Sequence, residues 1–169
     1  ALCWGANDRG ALGDGSVKRR SLPVIVVGGL MAQPTSMVEP AGSSGVTCAV
    51  NAARAYCWGD GGQGGLGSGR PSFARSVQPV TGVDGPVTAL GVGESSSCAL
   101  AAGTVRCWGW NMYGQLGTGT YAPRATAAPV SGLPGPVSRL AQGDSHVCAI
   151  AGGAAYCWLR GLRRDDRGA

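Results

Sequence analysis

The apolar residues of the chain come in short runs that are separated by glycine-rich breaks. Across residues 97–110 one apolar run is interrupted at Ala102-Gly103 and then resumes. Two short apolar runs on either side of a two-residue break that contains glycine predict a β-hairpin. With the break as the loop, Ala101 faces Thr104 and Cys98 faces Cys107 across the two strands. Two further stretches have the same pattern and predict two more hairpins. In these hairpins Cys48 faces Cys57 and Cys148 faces Cys157.

The hairpins recur because most of the chain is built from a repeat of about 50 residues. A Cys-Trp pair occurs four times, and the intervals between its cysteines are 54, 50 and 50 residues. A Gly-x-Leu-Gly turn begins seven residues after each of the first three motif cysteines, at Gly10, Gly64 and Gly114. Further on, each of these copies has a Pro-Val pair and then a glycine followed by an apolar residue. In the first copy these are Pro23-Val24 and Gly29-Leu30.

A repeat of this length, with several short strands and glycine-rich turns, is typical of a β-propeller blade, a small antiparallel sheet packed between its neighbours. We therefore expect an all-β fold, a partial β-propeller of small antiparallel blades. About three repeats should occupy residues 1–158, followed by an irregular basic tail at residues 159–169. Residues that recur in every copy are expected to fill the space between blades. These core residues are Trp4, Trp58, Trp108, Trp158, Leu12, Leu66 and Leu116.

The cysteine pattern suits disulfides. Directly opposed residues of an antiparallel hairpin have Cα atoms about 4.5–5.5 Å apart, a separation that a disulfide tolerates. Three such pairs use six of the seven cysteines, and Cys3 is expected to have its partner upstream of Ala1. Small buried thiols are the alternative, whereas a zinc site fits less well because the chain has one His. Disulfides would place the protein in an oxidising compartment (extracellular, periplasmic or cell surface), and buried thiols would place it in the cytoplasm.

Composition narrows the function classes. Of the 169 residues, 44% are hydrophobic and only 14% are charged, so the chain is too apolar for a disordered tail. It has no apolar run of about eighteen residues, so no transmembrane segment is expected. The net charge of +5 comes mainly from arginine. Because the tryptophans recur inside a structural motif, we expect no specific binding of nucleic acid.

The stretch from Cys98 to Gly119 carries a family resemblance. Its order, Cys-Ala-Leu, two residues, Gly-Thr-Val-Arg-Cys-Trp-Gly and then Gly-Gln-Leu-Gly, resembles the repeat of the regulator of chromosome condensation family in its bacterial, cysteine-containing form. The resemblance covers about residues 1–158 and implies a seven-bladed propeller of four-stranded blades. About three repeats do not close such a ring, so further repeats or self-association are expected to complete it. The first copy departs from the pattern between Met31 and Gly45, and the fourth departs from it after Trp158.

No catalytic arrangement is evident, so we expect no enzyme, no cofactor and no metal site. His146 is the only histidine, and the acidic residues are scattered among loops. The leading hypothesis is a scaffold that binds a protein or a glycan through loops at one face of the propeller. Aromatic residues and arginine often anchor interfaces. The loop residues chosen on this basis are Trp110, Asn111, Tyr113, Tyr121 and Arg124.

Two other hypotheses stay open beside this scaffold, which we expect to be part of a longer exported bacterial protein. The resemblance implies guanine-nucleotide exchange on a small GTPase together with chromatin binding, the activity of the eukaryotic founder of the family. The paired cysteines argue against a nuclear or cytosolic setting. The eroded first copy and the broken fourth copy are also what a non-functional fragment of a longer gene would show.

Overall fold

The computed structural model describes residues 1–28, 36–38 and 45–159; Gly29-Leu30 and the tail from residue 160 onwards lie outside them. The described residues form thirteen β-strands and one short 3-10 helix, Gly62–Gly64. In chain order the strands are β1 (Leu2–Gly5), β2 (Arg20–Ile25), β3 (Ser36–Val38), β4 (Val46–Asn51), β5 (Arg54–Gly59), β6 (Ala74–Pro79), β7 (Val87–Val92), β8 (Ser96–Ala101), β9 (Thr104–Gly109), β10 (Arg124–Pro129), β11 (Val137–Gln142), β12 (His146–Ala151) and β13 (Ala154–Leu159).

The strands form four sheets that follow one another along the chain, and we number them as blades. The first blade pairs β1 with β2, the second has the order β3-β4-β5-β6, the third β7-β8-β9-β10, and the fourth β11-β12-β13. All pairings are antiparallel, and clusters of buried side chains lie between successive blades. The expected all-β partial propeller is confirmed. Among the described residues two blades have four strands, one has three and one has two.

The hairpins have the register that the sequence predicts. Strands β8 and β9 place Ala101 opposite Thr104 and Cys98 opposite Cys107. The equivalent cysteines of β4 and β5 and of β12 and β13 also face each other. Each opposed pair forms a disulfide that joins the two strands of its hairpin. The three disulfides are Cys48–Cys57, Cys98–Cys107 and Cys148–Cys157.

The first copy aligns with the others differently from the way its sequence suggests. Ile25 of β2 and Pro79 of β6 occupy the same register position, because each faces the residue that precedes the motif cysteine. The equivalence of Pro23-Val24 with the later Pro-Val pairs is therefore wrong by two residues. The register follows the side chains that pack toward the next blade, Val26 and Val80, and not the position of the proline.

Successive blades are joined by a tryptophan of one blade and the Gly-x-Leu-Gly turn of the blade before it. The indole Nε1–H of Trp108 donates a hydrogen bond to the carbonyl oxygen of Gly65, at 3.0 Å. In each case the acceptor is the second residue of the turn, and we call this contact the tryptophan lock. It gives the single indole donor a partner inside an apolar contact. The other two locks are Trp58 to Ala11 at 2.9 Å and Trp158 to Gln115 at 3.0 Å.

The last glycine of each turn makes room for the indole ring. A Cβ atom at Gly67 would lie 2.8 Å from Cδ1 of Trp108, and the φ of Gly67 is +64°. Gly13 and Gly117 meet the rings of the other two locks in the same way. The turn leucines are buried beside these rings, so the repeat motif encodes the contact between blades. These leucines are Leu12, Leu66 and Leu116.

The expectation that all four motif tryptophans lie in the core is wrong for Trp4. Trp58 and Trp108 are fully buried and Trp158 is half-buried, but Trp4 is 63% exposed. The ring of Trp4 lies on the face of the first blade that points away from the second blade. No turn among the described residues covers it.

Gly67→Ala is expected to lower the free energy of unfolding more than Gly69→Ala does. Both glycines have positive φ, so alanine introduces about 1–2 kcal/mol of backbone strain at either position. Only at Gly67 does the new Cβ meet the indole of Trp108, because the nearest atom at Gly69 is 3.9 Å away. Overpacking should add about 1–3 kcal/mol to the loss for Gly67→Ala alone. Chemical denaturation measures both losses, and equal values would mean that the approach to the indole does not matter.

Candidate functional site

Three long loops lie at one end of the blades, where β1, β5 and β9 end. They comprise residues 6–19, 60–73 and 110–123, and each carries a Gly-x-Leu-Gly turn. The short connections from β7 to β8 and from β11 to β12 are at the same end, because neighbouring antiparallel strands run in opposite directions. The backbone N–H of Trp110 donates to the carbonyl of Ser95 at 2.8 Å and joins the third loop to the β7–β8 connection. We call this part of the molecule the loop end.

A buried asparagine holds the third loop in shape. The side-chain amide of Asn111 donates to the carbonyls of Thr120 and Ala122, at 2.7 and 3.1 Å. Its Oδ1 accepts the backbone N–H of Leu116 at 2.9 Å. Asn111 is fully buried, so the prediction that it contacts a partner is wrong. A buried amide needs internal hydrogen bonds, and these bonds close the loop upon itself.

The loop held by Asn111 carries a cluster of aromatic residues. The rings of Trp110 and Tyr113 meet edge to face, with centroids 5.0 Å apart. Tyr121 lies over Gly114, and its Cε1 is 3.4 Å from where a Cβ of that glycine would be. Tyr113 and Tyr121 are exposed, the latter by 70%, while Trp110 is half-buried. The structure thus brings together three of the residues that the sequence singled out.

Met112 belongs to the same loop as this cluster, and Arg124 follows the loop in the chain. Met112 is exposed in the same loop, although the sequence pattern did not single it out. Its position beside Tyr113 is the signal that points to it, because the flexible thioether side chain suits an adaptable binding surface. Arg124 is exposed at the start of β10, where the third loop ends. We call Trp110, Met112, Tyr113 and Tyr121 the aromatic surface.

An acidic groove lies beside the aromatic surface. The second loop and the β7–β8 connection line a cavity of about 270 Å³, and its charged lining residues are Asp60 and Glu94. Arg9 of the first loop pairs with Asp60 at 3.3 Å. Ser95 lines the groove and also accepts the N–H of Trp110, so the groove and the aromatic surface are continuous. Aromatic rings beside carboxylates suit a partner with apolar and basic groups.

In the first loop a carboxylate joins the buried asparagine. The amide of Asn7 donates to the carbonyls of Ser16 and Lys18 and to Oδ1 of Asp14. The guanidinium of Arg20 donates to Oδ2 of Asp14 at 2.8 Å, and the Asp14 side chain is 5% exposed. Burial raises the pKa of Asp14, but hydrogen bonds from Ser16, Arg20 and Asn7 outweigh it and lower the pKa to about 2. The charged carboxylate therefore belongs to the framework of the first loop.

The described residues contain no arrangement that suits catalysis by a metal. No three His, Cys, Asp or Glu side chains in residues 1–28, 36–38 and 45–159 come together as a metal site. His146 is exposed at the start of β12, and its ring lies against Gly143. A cavity of about 580 Å³ between the third and fourth blades has a mostly aliphatic lining. The hydroxyls of Thr88 and Ser138 in this cavity donate to strand carbonyls, so they are used by the sheets.

In the part of the chain that the structure describes, no helix has the length and apolar character needed to cross a membrane.

The sheets, the tryptophan locks and the loop end define a partial β-propeller made of repeated blades. Residues 102–150 match the family model of the Regulator of chromosome condensation (RCC1) repeat. The resemblance to this repeat is therefore confirmed over these residues. Comparison with curated proteins finds no match.

Solved structures share the fold. The crystal structure of human WBSCR16 has a TM-score of 0.78 and 20% sequence identity, over 97% of this chain and 44% of that protein. The structure of Prp20p from Saccharomyces cerevisiae has a TM-score of 0.75 and 20% identity, over 94% of this chain and 41% of that protein. At this identity the similarity establishes the fold. The chain spans less than half the length of either protein.

The low pKa of Asp14 should make the first loop sensitive to acid. Because the pKa is about 2 in the folded protein and 3.8 ordinarily, the carboxylate contributes stability above about pH 4 that is lost as the pH falls toward 2. Asp14→Asn is expected to lower stability at neutral pH and to flatten its dependence on pH between about 4 and 2. Thermal unfolding of both chains at a series of pH values measures the dependence of stability on pH.

Asp8→Asn is the control, because the Asp8 carboxylate is exposed and pairs with Arg19 at the surface. An Asp14→Asn variant whose stability falls with acid as steeply as that of the unmodified chain would contradict the role given to Asp14.

Proposed function

We propose that the chain is a non-catalytic β-propeller scaffold that binds a protein partner through the aromatic surface at its loop end. The observation that carries this proposal is the exposure of Tyr113, Met112 and Tyr121 on a loop held by the buried Asn111. Tyrosine and tryptophan supply large contact areas with few rotatable bonds, and they are enriched among the residues that dominate binding energy. A surface ordered before the partner arrives also loses less entropy on binding.

The charges around the aromatic surface indicate the kind of protein that fits it. The groove beside the surface carries Asp60, which pairs with Arg9, and Glu94, whose carboxylate favours a basic side chain on the partner. Charges at the rim of an interface act mainly on the rate and selectivity of association. We therefore propose a partner with an apolar patch flanked by lysine or arginine. A neutral glycan could stack on the aromatic rings, but it has no basic group to pair with the acidic groove.

We also propose that the scaffold works outside the cytoplasm, as part of an exported bacterial protein. Three disulfides, each within one hairpin, support this setting. Disulfides persist in secreted, periplasmic and surface proteins, whereas cytosolic thiols are kept reduced.

Protein isolated from its native source without reductant is expected to hide six cysteines from alkylation. Intact mass after denaturation and alkylation, with and without prior reduction, counts the thiols. Reduction should add six alkyl groups per chain, because three disulfides hold six cysteines. The same number of alkyl groups with and without reduction would mean that the cysteines are free thiols, and it would favour a cytoplasmic protein.

Combining Tyr113→Ser with Tyr121→Ser is expected to weaken binding of the partner by tenfold or more. Loss of dominant contact residues typically removes at least about 2 kcal/mol of binding free energy. The immobilised chain is exposed to the extracellular fraction of its native source, and each retained protein is then titrated against the unmodified chain and the double variant. Phe73→Ser is the matched control, because Phe73 is an exposed aromatic residue of the second loop outside the aromatic surface.

If a retained protein binds the double tyrosine variant with the same affinity as the unmodified chain, the assignment of the aromatic surface is wrong. A glycan array read with the same variants separates the two partner classes. If the unmodified chain binds a glycan and the double tyrosine variant does not, the partner is a glycan and not a protein.

Regulation of nucleotide exchange on a small GTPase is the second candidate function. The observation that favours it is the structural similarity to Prp20p, which is described as binding Gsp1p and histones. This likeness is one of fold, at 20% identity, and function depends on sites rather than on the fold. The test is the rate at which a small GTPase releases a fluorescent guanine nucleotide. Faster release at micromolar concentrations of this chain would favour nucleotide exchange over the scaffold proposal.

A further inference from the structure

A cavity lies at the end of the second blade that is opposite the loop end. Strand β5 ends at the loop end, so the turn from β4 to β5 and the connection from β6 to β7 are at the other end. These two segments line a cavity of about 480 Å³. Every lining side chain except that of Arg54 is aliphatic. The polar part of the cavity surface therefore comes from the backbone and from the Arg54 guanidinium.

The third blade has the same backbone frame but larger side chains at this place. In the second blade the N–H of Val80 donates to the carbonyl of Ala55 at 3.0 Å, and the same hydrogen bond occurs one repeat later, also at 3.0 Å. Within this frame Ala55 and Val83 line the cavity, whereas the third blade has Val105 and Leu133 at the equivalent positions. Two smaller side chains therefore leave space in the second blade that the third blade fills.

The hairpin turn beside the cavity departs from the other two hairpins. The turn residue Ala53 has a φ of +59°, and the equivalent residues of the other hairpins are Gly103 and Gly153. Glycine adopts this left-handed conformation without strain, whereas alanine does not. Ala53 lines the cavity. Backbone strain of this kind is often retained where a residue contacts a ligand.

Arg54 gives the cavity a positive charge. None of the ion pairs formed by the described residues includes Arg54. Asp84 belongs to the connection that lines the cavity, but its carboxylate pairs with Arg106 of the third blade at 2.8 Å. The planar guanidinium of an arginine suits a carboxylate, which it can bind through two parallel hydrogen bonds. The cavity thus combines aliphatic walls with a cation that is free to pair with an anionic group.

We propose that this cavity binds a small molecule in which a short aliphatic chain ends in a carboxylate. The carboxylate accepts hydrogen bonds from the Arg54 guanidinium, and the aliphatic chain packs between Ala55 and Val83. The volume of about 480 Å³ is in the range of small-molecule sites. The site is at the opposite end of the blades from the aromatic surface, so it does not depend on the function proposed above.

Titration with hexanoate tests the proposal. Chemical shifts of backbone amides in the ¹⁵N-labelled, disulfide-bonded chain locate the bound molecule. Hexanoate is expected to shift the amides of residues 52–55 and 80–87 with saturation in the millimolar range, as suits so small a ligand. Acetate lacks the aliphatic chain and 1-hexanol lacks the charge, so each should bind at least tenfold more weakly. Hexanoate shifts that do not saturate, or hexanol that binds as tightly as hexanoate, would overturn the proposal.

Variants at Arg54 show whether its charge holds the carboxylate. Arg54→Thr copies the equivalent residue of the third blade, Thr104, and it should weaken hexanoate binding by about tenfold or more. Arg54→Lys keeps the positive charge but not the planar fork, so it should weaken binding by less. Arg139→Thr is the matched control, because Arg139 is an exposed arginine that lines the cavity between the third and fourth blades. Binding that depends on Arg139 and not on Arg54 would show that the site is wrong.

Filling the cavity is an independent test. Ala55→Val combined with Val83→Leu introduces the side chains of Val105 and Leu133, which the same backbone frame already accommodates in the third blade. This filled variant should keep its cooperative thermal unfolding and lose hexanoate binding by tenfold or more. If it does not fold, the comparison of Arg54→Thr with Arg139→Thr decides the question. A folded filled variant that binds hexanoate as tightly as the unmodified chain would contradict the proposal.

The double tyrosine variant separates this site from the aromatic surface. Tyr113→Ser combined with Tyr121→Ser should leave hexanoate binding unchanged, because both tyrosines belong to the third loop at the loop end. A loss of hexanoate binding in this variant would mean that hexanoate binds at the aromatic surface, and the proposed cavity site would be wrong.

Discussion

The hydrogen bond from a buried indole to a turn carbonyl is the interaction on which the rest of this structure depends. A sheet of two to four short strands has two apolar faces and is not stable alone. Hydrophobic contact alone would allow such sheets to pack in many orientations, because the hydrophobic effect is not directional. The indole N–H has one partner, the carbonyl of the second turn residue, and this bond sets how each blade sits on the one before it.

The loop end follows from the same contact. The turn that receives the indole is also the beginning of a long loop, so each lock positions a loop relative to the next blade. The backbone of Gly69 donates to the carbonyl of Ala125, which ties the second loop to the outer strand of the third blade. Buried Asn7 and Asn111 then close the first and third loops. The aromatic surface is therefore presented by a framework of internal hydrogen bonds.

Most of the fold could be predicted from local patterns. Hairpin register depends on a two-residue break between apolar runs, and blade order depends on a repeat period, so both can be read along the chain. The burial of Asn111 could not, because an asparagine beside Trp110 and Tyr113 looks like a loop contact until the carbonyls of Thr120 and Ala122 are placed around it. The same holds for the register of β2, which depends on the packing of Val26 against the second blade.

The sequence by itself determined the all-β class, the repeat, the three pairs of opposed cysteines and the set of loop aromatics, because each depends on residues that are close in the chain or on a constant period. The tertiary structure alone decided which copies of the repeat are covered. Trp4 and Trp108 have the same neighbours in sequence, yet one is exposed and the other is fully buried. The difference arises because burial of a blade residue depends on the turn of a preceding blade, here about 43 residues away in sequence for Trp108.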